Sequence, residues 1–285
     1  MPRYIFKCST NEAYAIKVLS ELLSNNIKSG FFMVNNKGIF LKMFDNNMRT
    51  LVNLQLKSEN FTYYKYKEKV NKQIYLGLNL NHFHKILKSV KKKDKLHLYI
   101  LVDKPNQLYI RTIPKENTRV TTSVIKIQTV QNLDVELPKG YKRHVIVPSS
   151  EFQKMCKDLN SIGSAKIEVY SKDFEIDFSA DSDGILTRKV TFGEHNNSDD
   201  SSDDSEQSGN IYKASFTNDQ LLRITKVAGL SNSIQICPAN DLPLLFKTNI
   251  GELGKLSIYI KSIEMVKKDE NSSFNSDSDD SSDEE

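Results

Sequence analysis

Residues 148–163, PSSEFQKMCKDLNSIG, place apolar side chains at Phe152, Met155, Cys156 and Leu159 and basic ones at Lys154 and Lys157. The i, i+3, i+4, i+7 spacing predicts a short helix with one buried stripe and an opposite basic face. Ser149 or Ser150 stands where a capping residue is expected. The arrangement returns three times: Ala15, Val18, Leu19 and Leu22 with Lys17; Phe83, Ile86, Leu87 and Val90 with Lys85 and Lys88; Leu221, Ile224, Thr225 and Ala228 with Arg223 and Lys226. Asn79 or Asn81 is placed to cap the second of these. In all four a basic residue follows the first stripe residue by two positions, turned away from the stripe.

Around these four helices the chain consists mostly of alternating or β-branched runs bounded by turn residues. They lie at 30–34, 38–43, 51–56, 96–102, 108–113, 123–127, 166–170, 174–178, 187–192, 212–216, 233–236, 244–247 and 255–260. The order strands, helix, strands, helix fills residues 1–129 and recurs over 141–266. The expected fold class is therefore α+β, with two similar domains. Residues 130–140, VQNLDVELPKG, form the expected linker, broken by Pro138 and carrying Leu133, Val135 and Leu137.

The net charge of +4 conceals a segregation of sign: residues 198–206 hold five acids and no base, and 269–285 hold eight acids and no base. Without those thirteen acids the remainder carries +17, a field that attracts polyanions, nucleic acid above all. Lysine is suited to phosphate contact rather than to bidentate reading of base edges. No aromatic platform for unstacked bases lies on the helices, so the backbone of a duplex is the expected partner, met without regard to sequence. The segments 196–210 and 267–285 are Ser/Asp-rich and nearly free of apolar residues, an expected disordered loop and an expected disordered tail.

Other chemistry finds little support. Cys8, Cys156 and Cys237 are far apart and form no C-x-x-C pair, so neither a disulfide framework nor a zinc site is expected. Asp181, Asp183 and Gly184 hint at a calcium loop, but the later oxygen ligands are missing and a turn is the better reading. His82 and His84 have no third ligand nearby and read as surface side chains. There is no Gly-rich phosphate loop and no nucleophile elbow, so no enzyme, cofactor or metal is expected. No apolar run is long enough to span a bilayer and no signal-peptide pattern follows Met1, which points to an intracellular protein without a membrane partner.

Several stretches, in this order and spacing, resemble the proliferating cell nuclear antigen family of DNA sliding clamps: MFDNNMRTLVNLQL at 43–56, LNLNHFHKILK at 78–88, LDVE at 133–136, the opening stretch at 148–163, and LPLLFKTNIGELGKLSIYI at 242–260. The resemblance implies a homotrimeric ring with sheets outside and helices lining a hole that encircles duplex DNA. It implies a processivity factor that tethers DNA polymerase and other replication and repair proteins, and that a clamp loader places on DNA, in a nucleus or a viral replication compartment. By position it assigns DNA contact to Lys17, Lys85, Lys88, Lys154, Lys157, Arg223 and Lys226, although the family carries a basic residue where this chain has Asp219. It assigns partner-peptide contact to Phe44, Leu137, Pro243 and Tyr259. It assigns subunit pairing to two edge strands, with Ser123, Ile125 and Ile127 on one and Arg188, Val190 and Phe192 on the other. Lys261 and Ser262 replace the family's Ala-Pro, and the linker is shorter, so peptide specificity is expected to differ. The alternatives are a relative that acts as a monomeric processivity factor or in a heteromeric damage-response ring, and an acidic-tailed histone chaperone, for which the Ser/Asp runs speak but the basic helices do not.

Overall fold

A computed structural model describes residues 2–67, 73–116, 119–128, 135–193 and 211–276. Residues 130–134 of the linker, with Leu133, the acidic segment 196–210 and residues 277–285 lie outside the described residues.

The first half runs β1 (Tyr4–Thr10), α1 (Ala13–Asn26), β2 (Ser29–Asn35), β3 (Gly38–Phe44), β4 (Thr50–Lys57), β5 (Tyr63–Tyr66), β6 (Ile74–Asn79), α2 (Leu80–Leu87), β7 (Lys95–Leu101), β8 (Lys104–Ile113) and β9 (Thr121–Lys126). The second runs β10 (Val145–Pro148), α3 (Ser149–Ser161), β11 (Lys166–Lys172), β12 (Glu175–Ser182), β13 (Leu186–Phe192), β14 (Tyr212–Thr217), α4 (Asn218–Arg223), a 3-10 turn (Thr225–Gly229), β15 (Ser233–Cys237), β16 (Leu244–Ile250) and β17 (Gly254–Ile260), followed by α5 (Ile263–Ser276). Among the described residues the halves match element for element except that β5 has no counterpart.

Three antiparallel sheets result, in the orders β5-β1-β7-β8-β9, β10-β15-β16-β17-β4-β3-β2-β6 and β13-β12-β11-β14. The eight-stranded sheet joins the halves where β17 pairs with β4, from Gly254↔Leu56 to Ile260↔Thr50. Gly254 permits that closeness, since a Cβ there would lie 1.9 Å from the Gln55 carbonyl oxygen. One hydrophobic core runs through both halves, from Phe6 and Leu22 to Phe152, Phe178 and Phe246.

The helices follow the apolar stripes with two corrections. In the fourth, the α-helix stops at Arg223 and continues as the 3-10 turn; Leu221, Ile224 and Thr225 are buried as expected, but Val227 and Leu230 complete the stripe in place of the half-buried Ala228. Spacing of three suits the tighter helix. Asn79 does cap α2, its side chain accepting the His82 N–H at 2.9 Å, but α3 begins without a side-chain cap, and the Ser149 hydroxyl is buried without a partner.

The third difference is α5, which occupies residues expected to be a disordered tail from 267 onward. A tertiary anchor holds it. Glu264 accepts the Ser215 N–H of β14 at 3.1 Å, Lys261 pairs with Asp269 at 2.8 Å and Arg49 with Glu270 at 3.6 Å. Two of the acids that argued for disorder, Asp269 and Glu270, help dock the helix.

Candidate nucleic-acid interface and partner groove

The four helical segments form one continuous layer in the order α2, α1, 3-10 turn, α3. Ser20 of α1 meets His84 of α2, with Oγ 3.2 Å from Nδ1. Gly229 lets the 3-10 turn close on α1, because a Cβ there would stand 3.0 Å from a Val18 methyl. On the far side Gln153 of α3 donates to the Thr225 carbonyl at 3.1 Å, and Asn218 of α4 donates to Asn160 of α3 at 2.9 Å. The seven basic residues singled out from sequence are thereby brought onto one layer.

They are not equivalent there. Lys85, Lys88, Lys154 and Lys157 are exposed. Lys17 is half-buried, donating to the Val90 carbonyl at 3.0 Å and lying 5.5 Å above the Tyr14 ring. Arg223 pairs with Asp219 at 2.5 Å and Lys226 with Glu21 at 2.6 Å. A cation already held by a carboxylate has less to offer a phosphate, so the outward charge of the layer rests mainly on α2 and α3. Lys91, Lys92 and Lys93, exposed in the turn after α2, extend it, and Lys92 stands 5.8 Å over the Tyr14 ring. The KKK run was visible in the sequence, but it lies outside the repeated helical pattern that singled out the others.

His84 is not a simple surface residue: it is half-buried where α1 meets α2. Burial holds it below the usual histidine range, Glu21 pulls it up, and Lys88, Lys17 and Lys226 push it down. His82 is exposed as expected. The DSDG segment is a turn, with the Asp181 carboxylate accepting the Gly184 N–H at 2.7 Å.

A second arrangement lies on the opposite face of the eight-stranded sheet. Cys237, Leu245, Tyr259, Leu51 and Phe44 are direct cross-strand neighbours, one on each of β15, β16, β17, β4 and β3. They form an apolar row separate from the main core, against which Val135, Leu137 and Tyr141 pack. Tyr141 donates to the Pro243 carbonyl at 2.7 Å, and burial raises the pKa of both Tyr141 and Tyr259, so each hydroxyl stays protonated. Phe44 is held by the β3–β4 turn, where the Asp45 carboxylate accepts the Arg49 and Thr50 N–H groups at 2.8 and 2.9 Å. Lys261 stands 5.5 Å over the Phe44 ring. The four residues expected to contact a partner peptide therefore lie together, and Leu51, Leu245, Cys237, Val135 and Tyr141 were missed. The signal for Leu245 was the run of consecutive apolar residues LLF at 244–246, which, like IYI at 258–260, marks a strand buried on both faces.

Two sheets end on strands open to pairing. Among the described residues β9 pairs only with β8 and β13 only with β12. Ile125 is buried, Ser123, Ile127, Val190 and Phe192 are half-buried and Arg188 is exposed, 4.0 Å from Asp158. In the repeat β9 corresponds to β17 and β13 to β4, the two strands that pair with each other inside the chain.

All three cysteines are free and buried; burial pushes the Cys156 thiol up to about 12, far from a reactive thiolate. No cluster of three potential metal ligands occurs among the described residues, and no helix of the structure is long and apolar enough to cross a membrane.

Comparison with known proteins gives the same two-part division. Residues 5–137 match the family description "Proliferating cell nuclear antigen, N-terminal domain" and residues 137–263 match its C-terminal counterpart. The chain is 26% identical over 251 residues to the proliferating cell nuclear antigen of Chaetomium thermophilum, covering 87% of this chain and 94% of that one. It is 22% identical over 263 residues to the probable DNA polymerase sliding clamp 1 of Paramecium bursaria Chlorella virus 1, covering 91% and 97%. In structure it resembles the proliferating cell nuclear antigen of Entamoeba histolytica, with a TM-score of 0.76 at 23% identity over 91% of this chain and 99% of that one.

Proposed function

The chain belongs to the proliferating cell nuclear antigen family, and from that premise we propose that it is a DNA sliding clamp, a processivity factor that encircles duplex DNA and tethers a polymerase to it. The observation that carries the reading is the helical layer, whose exposed lysines on α2 and α3 offer phosphate contacts and no base-reading geometry. Many weak, sequence-blind contacts keep a duplex centred while a closed ring prevents escape, and the protein slides.

Ring closure is supported by the repeat. The antiparallel pairing of β17 with β4 is a template for pairing β9 of one subunit with β13 of the next, through Ser123, Ile125 and Ile127 against Arg188, Val190 and Phe192. A head-to-tail contact of this kind closes when the rotation per subunit is right, and in this family the expected closed form is a homotrimer. Pairing also covers two edges that would otherwise invite aggregation.

The apolar row from Cys237 to Phe44, with Leu137 and Pro243 at its rim, is the groove we assign to the clamp-binding peptides of polymerases and repair proteins. The domain limits that fit this reading are 1–129, 130–140 and 141–266. The role is non-catalytic and belongs wherever the DNA is replicated, in a nucleus or a viral replication compartment.

The test is primer extension on a singly primed circular template with a clamp loader. Lys85→Glu with Lys157→Glu is expected to abolish stimulation while light scattering still reports a trimer. Full stimulation by that variant, or a wild-type protein that stays monomeric at all concentrations, contradicts the reading.

A further inference from the structure

The five strands of the N-terminal sheet, β5, β1, β7, β8 and β9, contain Lys7, Lys65, Lys95, Lys104, Arg111, Lys126 and His97, and not one aspartate or glutamate. Their counterparts in the repeat, β10, β15, β16 and β17, carry Lys247 and Lys255 and likewise no acid, whereas the sheet β13-β12-β11-β14 carries Glu168, Glu175, Asp177 and Asp181 among its bases. Strand propensity accounts for the tyrosines and threonines but not for five lysines and an arginine collected on one sheet, against two lysines on its counterpart strands.

The registers show how these residues are displayed. One cross-strand row on the face away from the core reads Lys65, Lys7, Tyr99, Tyr109, Val124; the next reads Tyr63, Ser9, His97, Arg111, Thr122. Tyr99 and Tyr109 are stacked at 5.0 Å with 11° between their planes, and Tyr4 stands edge-on to Tyr99 at 5.6 Å. The Lys7 ammonium lies 4.8 Å over the Tyr4 ring and 5.6 Å over that of Tyr63, which is 45% exposed. Among the described residues none of Lys7, Lys65, Lys95 and Arg111 is paired with a carboxylate. The summed field is felt by His97: burial lowers its pKa first, and Lys7, Arg111 and Lys95 each lower it further.

We propose that this sheet face is a binding platform for single-stranded nucleic acid, taking the backbone on Lys7, Lys65, Lys95 and Arg111 and stacking bases on Tyr63, Tyr99 and Tyr109. Aromatic rings interleaved with unpaired cations suit an unstacked strand, which a duplex cannot supply because its bases already stack on one another. The strands themselves place no acid against a polyanion, and stacking with backbone contact is indifferent to sequence. The site goes beyond the duplex-encircling role and uses none of its residues; a single strand held here runs along the sheet, away from the helical layer.

The test is fluorescence anisotropy of the full-length chain with labelled oligo(dT) and oligo(rU) of about 16 nucleotides, the upper end of a compact single-strand site, across a salt series. Tyr63→Ala with Tyr109→Ala is expected to weaken binding about fivefold or more with the salt slope unchanged, and Tyr63→Phe with Tyr109→Phe to retain wild-type affinity. Arg111→Ala with Lys7→Ala is expected to reduce the slope of log K against log salt by about 1.4, two contacts' worth for a single strand. Lys85→Glu with Lys157→Glu should leave single-strand affinity intact. Tighter binding of one polymer names DNA or RNA as the ligand. The proposal is overturned by absence of single-strand binding at low salt, by affinity unchanged in both sheet variants, or by loss confined to the helix variant.

Discussion

The ammonium of Lys226 lies 2.6 Å from the carboxylate of Glu21, so the 3-10 turn of the second half is tied to the first helix of the first half by an ion pair within the basic layer. The pair spends one of the layer's cations internally. Both side chains are partly exposed, at 42% and 30%, which limits its worth to stability to the small range of solvated pairs. Its larger effect is on the charge offered to DNA.

Glu21→Gln should therefore release Lys226 and tighten duplex binding by about two- to fivefold at low salt, steepening the salt slope by about 1 as one more phosphate contact forms. Lys226→Ala should change duplex affinity much less than Lys85→Ala. Anisotropy with a duplex over a salt series measures both, and equal losses for the two alanine variants would remove the distinction between paired and free lysines.

Phe44 lies at the end of the apolar row and against the Lys261 ammonium rather than in the main core. Phe44→Ser should weaken a clamp-binding peptide by about thirtyfold, the loss of one interface anchor, with little change in melting temperature. Calorimetric titration of the trimer reads the affinity, and undiminished binding would move the peptide site elsewhere.

Gly229 faces Val18 across the seam between the halves, where a Cβ would arrive 3.0 Å from a methyl group. Gly229→Val should cost about 1–3 kcal/mol by overpacking, read as a lower denaturation midpoint. A midpoint equal to that of the wild type would mean the seam has slack.

Glu264 gives the attachment of α5 a pH dependence. Burial alone would raise its pKa, but hydrogen bonds from its own N–H, the Ser215 N–H and the Ser215 and Ser262 hydroxyls outweigh burial and hold the carboxyl below the usual carboxylate range. Because the folded value lies below the unfolded one, this stabilisation is complete above about pH 4.5 and fades as pH falls through the lower folded value. Hydrogen exchange at the Ser215 amide should accelerate on acidification in that window, relative to the base-catalysed trend, and Glu264→Gln should remove the dependence.

Periodicity located α1, α2 and α3, because a buried stripe at helical spacing leaves little choice of conformation. At residues 221–230 it placed Leu221, Ile224 and Thr225 but not the end of the stripe, where packing against α1 selects Val227 and Leu230 over Ala228. It missed β1, β5 and β6, the four-residue β10 ending in Pro148, and α5, whose helix is fixed by partners on β14 and the β3–β4 turn rather than by its own composition. In the groove, Phe44 and Tyr259 came from resemblance, whereas the row they share with Leu51 and Leu245 needed the register of four strands.

By itself the sequence determined the twofold repeat, the strand-rich α+β class, and four basic helix faces opposite apolar stripes, since each is a matter of local spacing within one element. Tertiary structure alone decided which lysines are free. Lys85 and Lys157 stay exposed, while Lys226 is claimed by Glu21, about two hundred residues earlier in the chain but one side chain away in space. A charge's partner is set by distance through the fold, and spacing along the chain carries no record of it.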